Sequence, residues 1–459
     1  MTPAAPPVPR VRLVVLNWNG GDMVVRCVEH LIRLDWPADR LELVVVDNAS
    51  SDGSDRVLAE RFPQVRVVRN AANTGFVANN LAMGDLDDVD YVGLVNNDSF
   101  VEPGWLRPLV EALESDPGLG AASARLLFAD RFLGVEVASP TFTPGTADHR
   151  RLGVRVGGAR VDGKDRWRDT QFGEDSWGIE HDGRGGTFQW TRDRTTVRVP
   201  VPVDDPADAS TVRLPESIEL RLAAETAKDV TLTAGGLSVT VTVVTEPRWY
   251  AAPVAGEPVD IVNNVGSIVF EDGYGADRGW LEADTGQYDE PAEVFAWCGG
   301  SVLLRPSYLA DVGLFDERFF LYYEDTDLSW RGLTRGWRYR YVPEAVARHL
   351  HAASTGEGSA TFQYYVERNR LLMLAKNAPL RMAANAVWRF ALVTASYARR
   401  DIVRPVLGLH RPRPEQVRRR VVSLAGFLKL VPAMMADRRR LRRAPTVPDA
   451  VVASRLVRR

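Results

Sequence analysis

Cysteine is almost missing from this chain: there are two in 459 residues, Cys27 and Cys298. So few thiols, so far apart, exclude a disulfide framework and suit a reducing cytosol. Long apolar runs are missing too, because Arg389 and Lys429 interrupt the best candidates, so no transmembrane helix is expected. The opening MTPAAPPVPR has no apolar stretch of the kind a secretory signal needs. The fingerprint GxGxxG does not occur, which argues against a dinucleotide cofactor.

What is present is a 45% hydrophobic chain long enough to bury several cores, and its length suggests two to four domains. The net charge of −3 hides an asymmetry. Residues 381–459 hold 19 Arg and Lys against 4 Asp and Glu, a balance of +15, which leaves −18 for the rest. A basic tail of this kind suits an anionic surface.

The first 130 residues alternate strand and helix patterns. VRLVVL (11–16), LELVVV (41–46), VRVV (65–68) and YVGLV (91–95) are short, apolar and bounded by polar turns, as buried strands are. Helical stretches such as Asp22–Leu34 and Ser54–Phe62 lie between them. The alternation predicts an α/β fold with a mostly parallel sheet and helices on both faces. Asn17, Asp47, Asn48, Asn73, Asn96, Asn97 and Asp98 follow the carboxyl ends of these strands, where open α/β sheets bind ligands.

From 131 to 258 the pattern changes. TTVRVPVPV (195–203), STVRL (210–214), SIELRL (217–222), DVTLT and LSVTVTVV alternate as strands, the last two flanking a Gly235–Gly236 hairpin turn. This reads as an inserted all-β, sandwich-like module. Its Trp167, Trp177, Trp190 and Trp249 suit either sugar stacking or a core. The α/β pattern returns over 259–360, and 361–459 is helical and basic.

Several segments carry chemistry. Asp98 in NND can ligate a hard divalent cation, although Asn and Asp also favour turns. In DNASSDGS, Asp52 or Ser54 can cap the following helix, while Asp47 sits where a carboxylate could bind ribose or base. Gly299 and Gly300 permit close backbone approach to a ligand, or form a bulge. His349 and His351 would share one face of a strand and could complete a metal site. FFLYYEDTDLSWR (319–331) sets Glu324, Asp325 and Asp327 directly after an apolar run, where low hydration can raise a carboxylate's pKa; acids there also suit a helix start.

Taken in order, VVLNWNG (14–20), VVVDNASSDGS (44–54), NTGF (73–76), LVNND (94–98), WCGGSVLLR (297–305), FDERFFLYYEDTDLSWR (315–331) and RNRLLMLAKN (368–377) resemble a family 2 glycosyltransferase of the GT-A fold, of the rhamnosyltransferase-like branch. The resemblance spans roughly 10–130 and 259–378. It implies an inverting transfer from a nucleotide-diphosphate sugar with Mg²⁺ or Mn²⁺. Asp98 then matches the last metal-binding carboxylate, Asn96 replaces the first, and His349 matches a metal ligand, with His351 as local competitor. Asn17, Asp47, Asp52, Asn73, Gly75, Asn96, Asn97 and Asp98 are implied on the donor side. Trp297, Gly299, Gly300 and Glu324 are implied on the acceptor side, with Asp325 as catalytic base. NTGFVANN is one residue shorter than the family's usual spacing, which leaves Asn79 and Asn80 without an assigned role.

The resemblance further implies cell-envelope polysaccharide synthesis, with dTDP-rhamnose as donor and a glycan or polyprenyl-linked acceptor. A UDP-sugar such as UDP-galactofuranose is the rival donor, and a catalytically silent glycan-binding scaffold the rival function. VRRRVVSLAGFLKLVPAMMADRRRLRR (417–443) suits a helix in the membrane interface, placing the protein at the cytoplasmic face of the plasma membrane. Packing on the catalytic domain is the alternative. Nucleic acid is not an expected partner, since the tail has neither interleaved aromatics nor a binding motif.

Overall fold

The computed structural model describes residues 7–145, 148–173, 175–182, 185–208, 211–350, 359–443 and 447–458. Two units emerge. One comprises the chain up to Leu127, Asn263–Trp280 and everything from Gly286; the other comprises Phe128–Val262 and Leu281–Thr285.

The first unit is built on one sheet. Its strands are β1 (Val11–Asn17), β2 (Leu41–Asp47), β3 (Arg66–Arg69), β4 (Tyr91–Asn96), β5 (Ser99–Val101), β6 (Leu119–Phe128), β7 (Ser301–Leu304) and β8 (Arg338–His349). The main path runs from a two-residue strand, Ala292–Glu293, through β8, β6, β7, β4, β1 and β2 to β3. β4, β1, β2 and β3 pair in parallel. β7 lies antiparallel between β4 and β6, and β5 pairs antiparallel with β8. The sheet is therefore mixed, because the returning chain adds its strands from the opposite direction.

Helices α1 (Gly21–Ile32) and α2 (Ser54–Arg61) connect the parallel strands. α1 buries Val24, Cys27, Val28 and Leu31, an apolar stripe at helical spacing, against Val11, Leu13 and Val15 of β1. After β7 come α3 (Glu324–Arg335), α4 (Ala360–Asn377), α5 (Leu380–Ala398) and α6 (Glu415–Leu441). No described helix is long and apolar enough to cross a membrane.

The second unit stacks a five-stranded and a six-stranded antiparallel sheet over a core of small apolar residues such as Val135, Val197, Leu220 and Leu232. The expected hairpin is present: Ala234 pairs with Leu237, and Gly235 and Gly236 both have positive φ, as the tight turn requires. The expected strand 210–214 begins outside the described residues, and among the described residues 211–214 only Val212 pairs, in an isolated bridge to Val203, where Pro202, Pro206 and Pro215 remove ladder donors. Trp167, Trp177, Trp190 and Trp249 are only half-buried. Arginines lie over three of these rings, including Arg160 at 3.9 Å from the centre of Trp249, so the tryptophans border the module's core rather than fill it.

In the tail, part of the stretch expected at a membrane interface packs on the protein, while Val421, Val422 and Leu428 stay exposed. α6 turns Val417, Phe427, Met434 and Arg438 inward. Arg438 donates to the carbonyls of Ala375 and Ala378 at 3.2 and 2.6 Å, capping the end of α4. Arg420 reaches Glu367 at 3.0 Å. Val417, Phe427, Met434, Arg420 and Arg438 are thus committed within the protein, while Arg418, Arg419, Arg439 and Arg440 remain exposed.

Candidate active site

Register places the polar strand ends together. Asn17 stands opposite Asp47, and Leu16 opposite Asn96. Asn96–Asp98 turn the chain from β4 into β5, whose Ser99 pairs with His349 at the end of β8. That pairing sets the His349 Nε2 atom 3.0 Å from Asp98 Oδ1. His351 lies outside the described residues.

A cavity of about 690 Å³ opens beyond these strand ends, a volume suited to a small-molecule ligand. Asn73, Gly75, Asn96, Asn97, Asp98, Gly299, Gly300, Glu324, Asp325 and His349 all line it. Four expected site residues do not. Asn17 is fully buried, its amide donating to Asp47 at 3.0 Å and to Ser54 at 2.8 Å. Asp47 also accepts from the Ser50 amide. Asp52 accepts from the Gly21 amide at 2.9 Å and the Ser54 hydroxyl at 2.7 Å. These three brace the loops behind the cavity wall, so their first effect is on its shape. Trp297 is fully buried beside Phe315 and lies below the wall.

Asn48, expected at a strand end, lines the cavity too; it accepts from the Thr74 amide and donates to Asn73, joining two strand-end loops. Several other wall residues were not singled out from sequence: Trp18, next to Asn17, lines the cavity, and Asn263, Tyr274 and Asp277 form a further wall. Trp18 lies within a recognisable motif. The segment around Asp277 carries no motif and reaches the site only through the fold.

The aromatic run is a strained loop. Phe320, Tyr322 and Tyr323 have φ of 65°, 67° and 68°, a region that bulky residues adopt at a cost of about 1–3 kcal/mol each. Buried Asn369 holds it: its single amide nitrogen stands 2.9, 2.8 and 2.8 Å from the carbonyls of Phe319, Leu321 and Tyr322. Arg368 donates to the carbonyls of Arg318 and Phe319. On the other side the Phe76 amide donates to the Phe320 carbonyl at 2.7 Å. Gly75 permits this approach, since a Cβ there would lie 2.1 Å from that oxygen.

The loop delivers the two carboxylates at the start of α3. Asp325 Oδ1 accepts from the Thr326 amide at 2.6 Å and its hydroxyl at 3.1 Å, while Oδ2 has the Gly299 amide at 3.4 Å. Burial raises the Asp325 pKa, outweighing the bonds from Thr326 that lower it. Glu324 is 5% exposed, and its Oε2 makes no hydrogen bond among the described residues. Burial, and then the neighbouring Asp325 charge, raise Glu324 well above its ordinary 4.5. Such a group destabilises the fold where the unfolded chain would ionise it. Glu324→Gln is therefore expected to raise the melting temperature at neutral pH. The gain should shrink as the pH is lowered toward 4.5, which calorimetry across pH would follow. A pH-independent difference would contradict this.

Asp327, expected as a helix-start acid, is in that first turn but fully buried. It meets Arg331 at 3.0 Å, Lys376 at 2.8 Å and the Asn377 amide at 2.8 Å. Lys376 also meets Asp316 at 2.8 Å, Asp316 meets Arg318, and Arg318 meets Asp437 of α6. The network holds three acids, Asp316, Asp327 and Asp437, paired with Arg318, Arg331 and Lys376, and exposed Arg440 also reaches Asp437 at 3.4 Å.

Residues 13–141 match the family model described as glycosyl transferase family 2. Over that stretch the chain is similar to family 2 glycosyltransferases. The matched span supplies the Asn73–Asp98 wall of the cavity; Asp325 and His349 lie beyond it. An N-acetylglucosaminyl-diphospho-decaprenol L-rhamnosyltransferase of Mycobacterium tuberculosis is 37% identical over 132 residues, covering 27% of this chain and 43% of the relative. A beta-monoglucosyldiacylglycerol synthase of a Synechocystis species is 29% identical over 192 residues, covering 37% and 39%. The chain thus spans less than half the length of either relative. Among solved structures, GalNAc-T7 with UDP, GalNAc and Mn²⁺ aligns over 81% of this chain and 48% of that one, at 13% identity and a TM-score of 0.41.

Proposed function

We propose that the protein is an inverting glycosyltransferase that moves a sugar from a nucleoside-diphosphate donor to a glycan or lipid-linked acceptor in cell-envelope synthesis. The observation that carries this reading is one cavity holding the Asp98–His349 pair together with the Glu324–Asp325 carboxylates. In the proposed reaction the acceptor hydroxyl oxygen attacks the anomeric carbon as the bond to the diphosphate oxygen breaks, and Asp325 Oδ2 takes the hydroxyl proton. Thr326 fixes the other carboxylate oxygen and so orients Oδ2. Burial favours proton uptake by raising the pKa of the base toward working pH.

Asp98 and His349 offer one carboxylate and one imidazole donor, and among the described residues no group of three or more His, Cys, Asp or Glu could hold a metal by itself. That pair fits Mg²⁺ or Mn²⁺ completed by water and phosphate oxygens. When bound, such an ion would neutralise charge developing on the leaving diphosphate. Rhamnose from dTDP-rhamnose is the favoured donor, supported by the matching stretch of the mycobacterial rhamnosyltransferase; that relative's name also favours a lipid-linked acceptor.

Hydrolysis of a nucleotide-sugar panel by the full chain tests the reading. We expect dTDP-rhamnose to turn over fastest with Mn²⁺ or Mg²⁺, and chelation to abolish turnover. Preference for a UDP-sugar would replace the donor. No turnover and no thermal shift with any donor would favour a silent glycan-binding scaffold.

A further inference from the structure

α6 buries Val417, Phe427 and Met434 but leaves Val421, Val422 and Leu428 exposed, and the helix before it exposes larger apolar side chains. α5 faces outward with Leu380, Trp388 and Leu392, separated by eight and four residues and so stacked on one side of the helix. Trp388 is 63% exposed. Between α5 and α6 the chain forms an apolar tip, with Val406 exposed, Leu407 at 79% and Leu409 at 95%. Leu380 and Trp388 also line an apolar groove of about 430 Å³ between α5 and α6, floored by Ala383, Val387 and Phe427.

Charge surrounds this apolar surface. Residues 380–419 contain nine Arg and no Lys, against Asp401 and Glu415 alone. Arg389, Arg399, Arg400 and Arg404 are all exposed. Arg400 pairs with Asp401 at 2.6 Å, which leaves most of this positive charge without a local acid.

We infer that Leu380–Leu409 is a docking surface for an anionic lipid bilayer, with Trp388, Leu407 and Leu409 entering the acyl boundary and the arginines meeting phosphate headgroups. Apolar side chains exposed to this degree are unfavourable in water, and their ring of cations complements an anionic bilayer. A second copy of this chain would set the same arginines against one another. The inference builds on the proposed lipid-linked acceptor and moves membrane contact from 417–443 to α5 and its tip.

Vesicle co-sedimentation of the full chain tests it, using phosphatidylcholine with and without phosphatidylglycerol. Binding is expected only with the anionic lipid and should weaken with salt. Leu407→Glu/Leu409→Glu should lower vesicle affinity at least 10-fold, and Arg399→Gln/Arg404→Gln should lower both affinity and salt dependence. Val421→Glu/Val422→Glu on α6 should bind like the parent. Unchanged vesicle binding by the Leu407/Leu409 variant would overturn the inference. So would loss of a dimer in sedimentation without a change in vesicle binding. Donor hydrolysis by that variant should match the parent, so a failed docking surface is distinguishable from a failed transferase reading.

Discussion

Asp325→Asn is expected to slow sugar transfer by about 10²–10⁴-fold, the usual contribution of a positioned general base, while donor affinity stays nearly unchanged. The substitution keeps the size of the side chain and an oxygen to accept from the Thr326 amide, now 2.6 Å from Oδ1. It removes only the capacity to take a proton. Transfer rate under saturating acceptor, compared with donor binding by calorimetry, separates the two. A turnover within a few-fold of the parent would remove Asp325 from its proposed role. In the parent, the raised pKa of Asp325 predicts an acid limb of activity above the range of an ordinary carboxylate, because only the ionised form accepts the proton.

Asp327→Ala is expected to produce the largest loss of stability, about 3–5 kcal/mol, as removal of one partner from a buried ion pair does. The loss would leave Lys376 and Arg331 buried with their charge uncompensated except at Asp316. Denaturant unfolding of the full chain would measure it. A change below about 1 kcal/mol, typical of exposed ion pairs, would mean that water reaches the network. The neighbouring carboxylates Asp325 and Asp327 thus have opposite signatures, one in rate and one in stability.

That separation was only partly legible in the sequence. FFLYYEDTDLSWR suggested one base, one uncertain neighbour and one helix-start acid. The helix does start at Glu324, but nothing local revealed that Asp327 faces Lys376, 49 positions onward, in a fully buried network. Likewise RNRLLMLAKN was recognisable as a motif without a role. Its Arg368 and Asn369 act on a loop about 50 residues earlier, holding the left-handed backbone that aims α3 into the cavity. Strain of this kind leaves no periodicity to read.

The tail illustrates the same limit. An apolar stretch between Arg clusters has the composition of an interfacial helix, whichever way the helix is rolled. Only the tertiary structure shows that Phe427, Met434 and Arg438 turn inward while Val421, Val422 and Leu428 face out.

By itself the sequence determined the strand–helix alternation, the β insert with its Gly235–Gly236 turn, and the polar residues at the parallel strand ends. Those features are set within a few residues by side-chain period and turn chemistry. Tertiary structure alone decided which strand-end residues face the cavity and which brace it, since Asn17 and Asp47 are consumed in pairing across adjacent strands. It also brought His349 to Asp98 and Asn369 to the aromatic loop. These contacts join residues tens to hundreds of positions apart, where no local periodicity acts and only the packing of the whole unit fixes the distance.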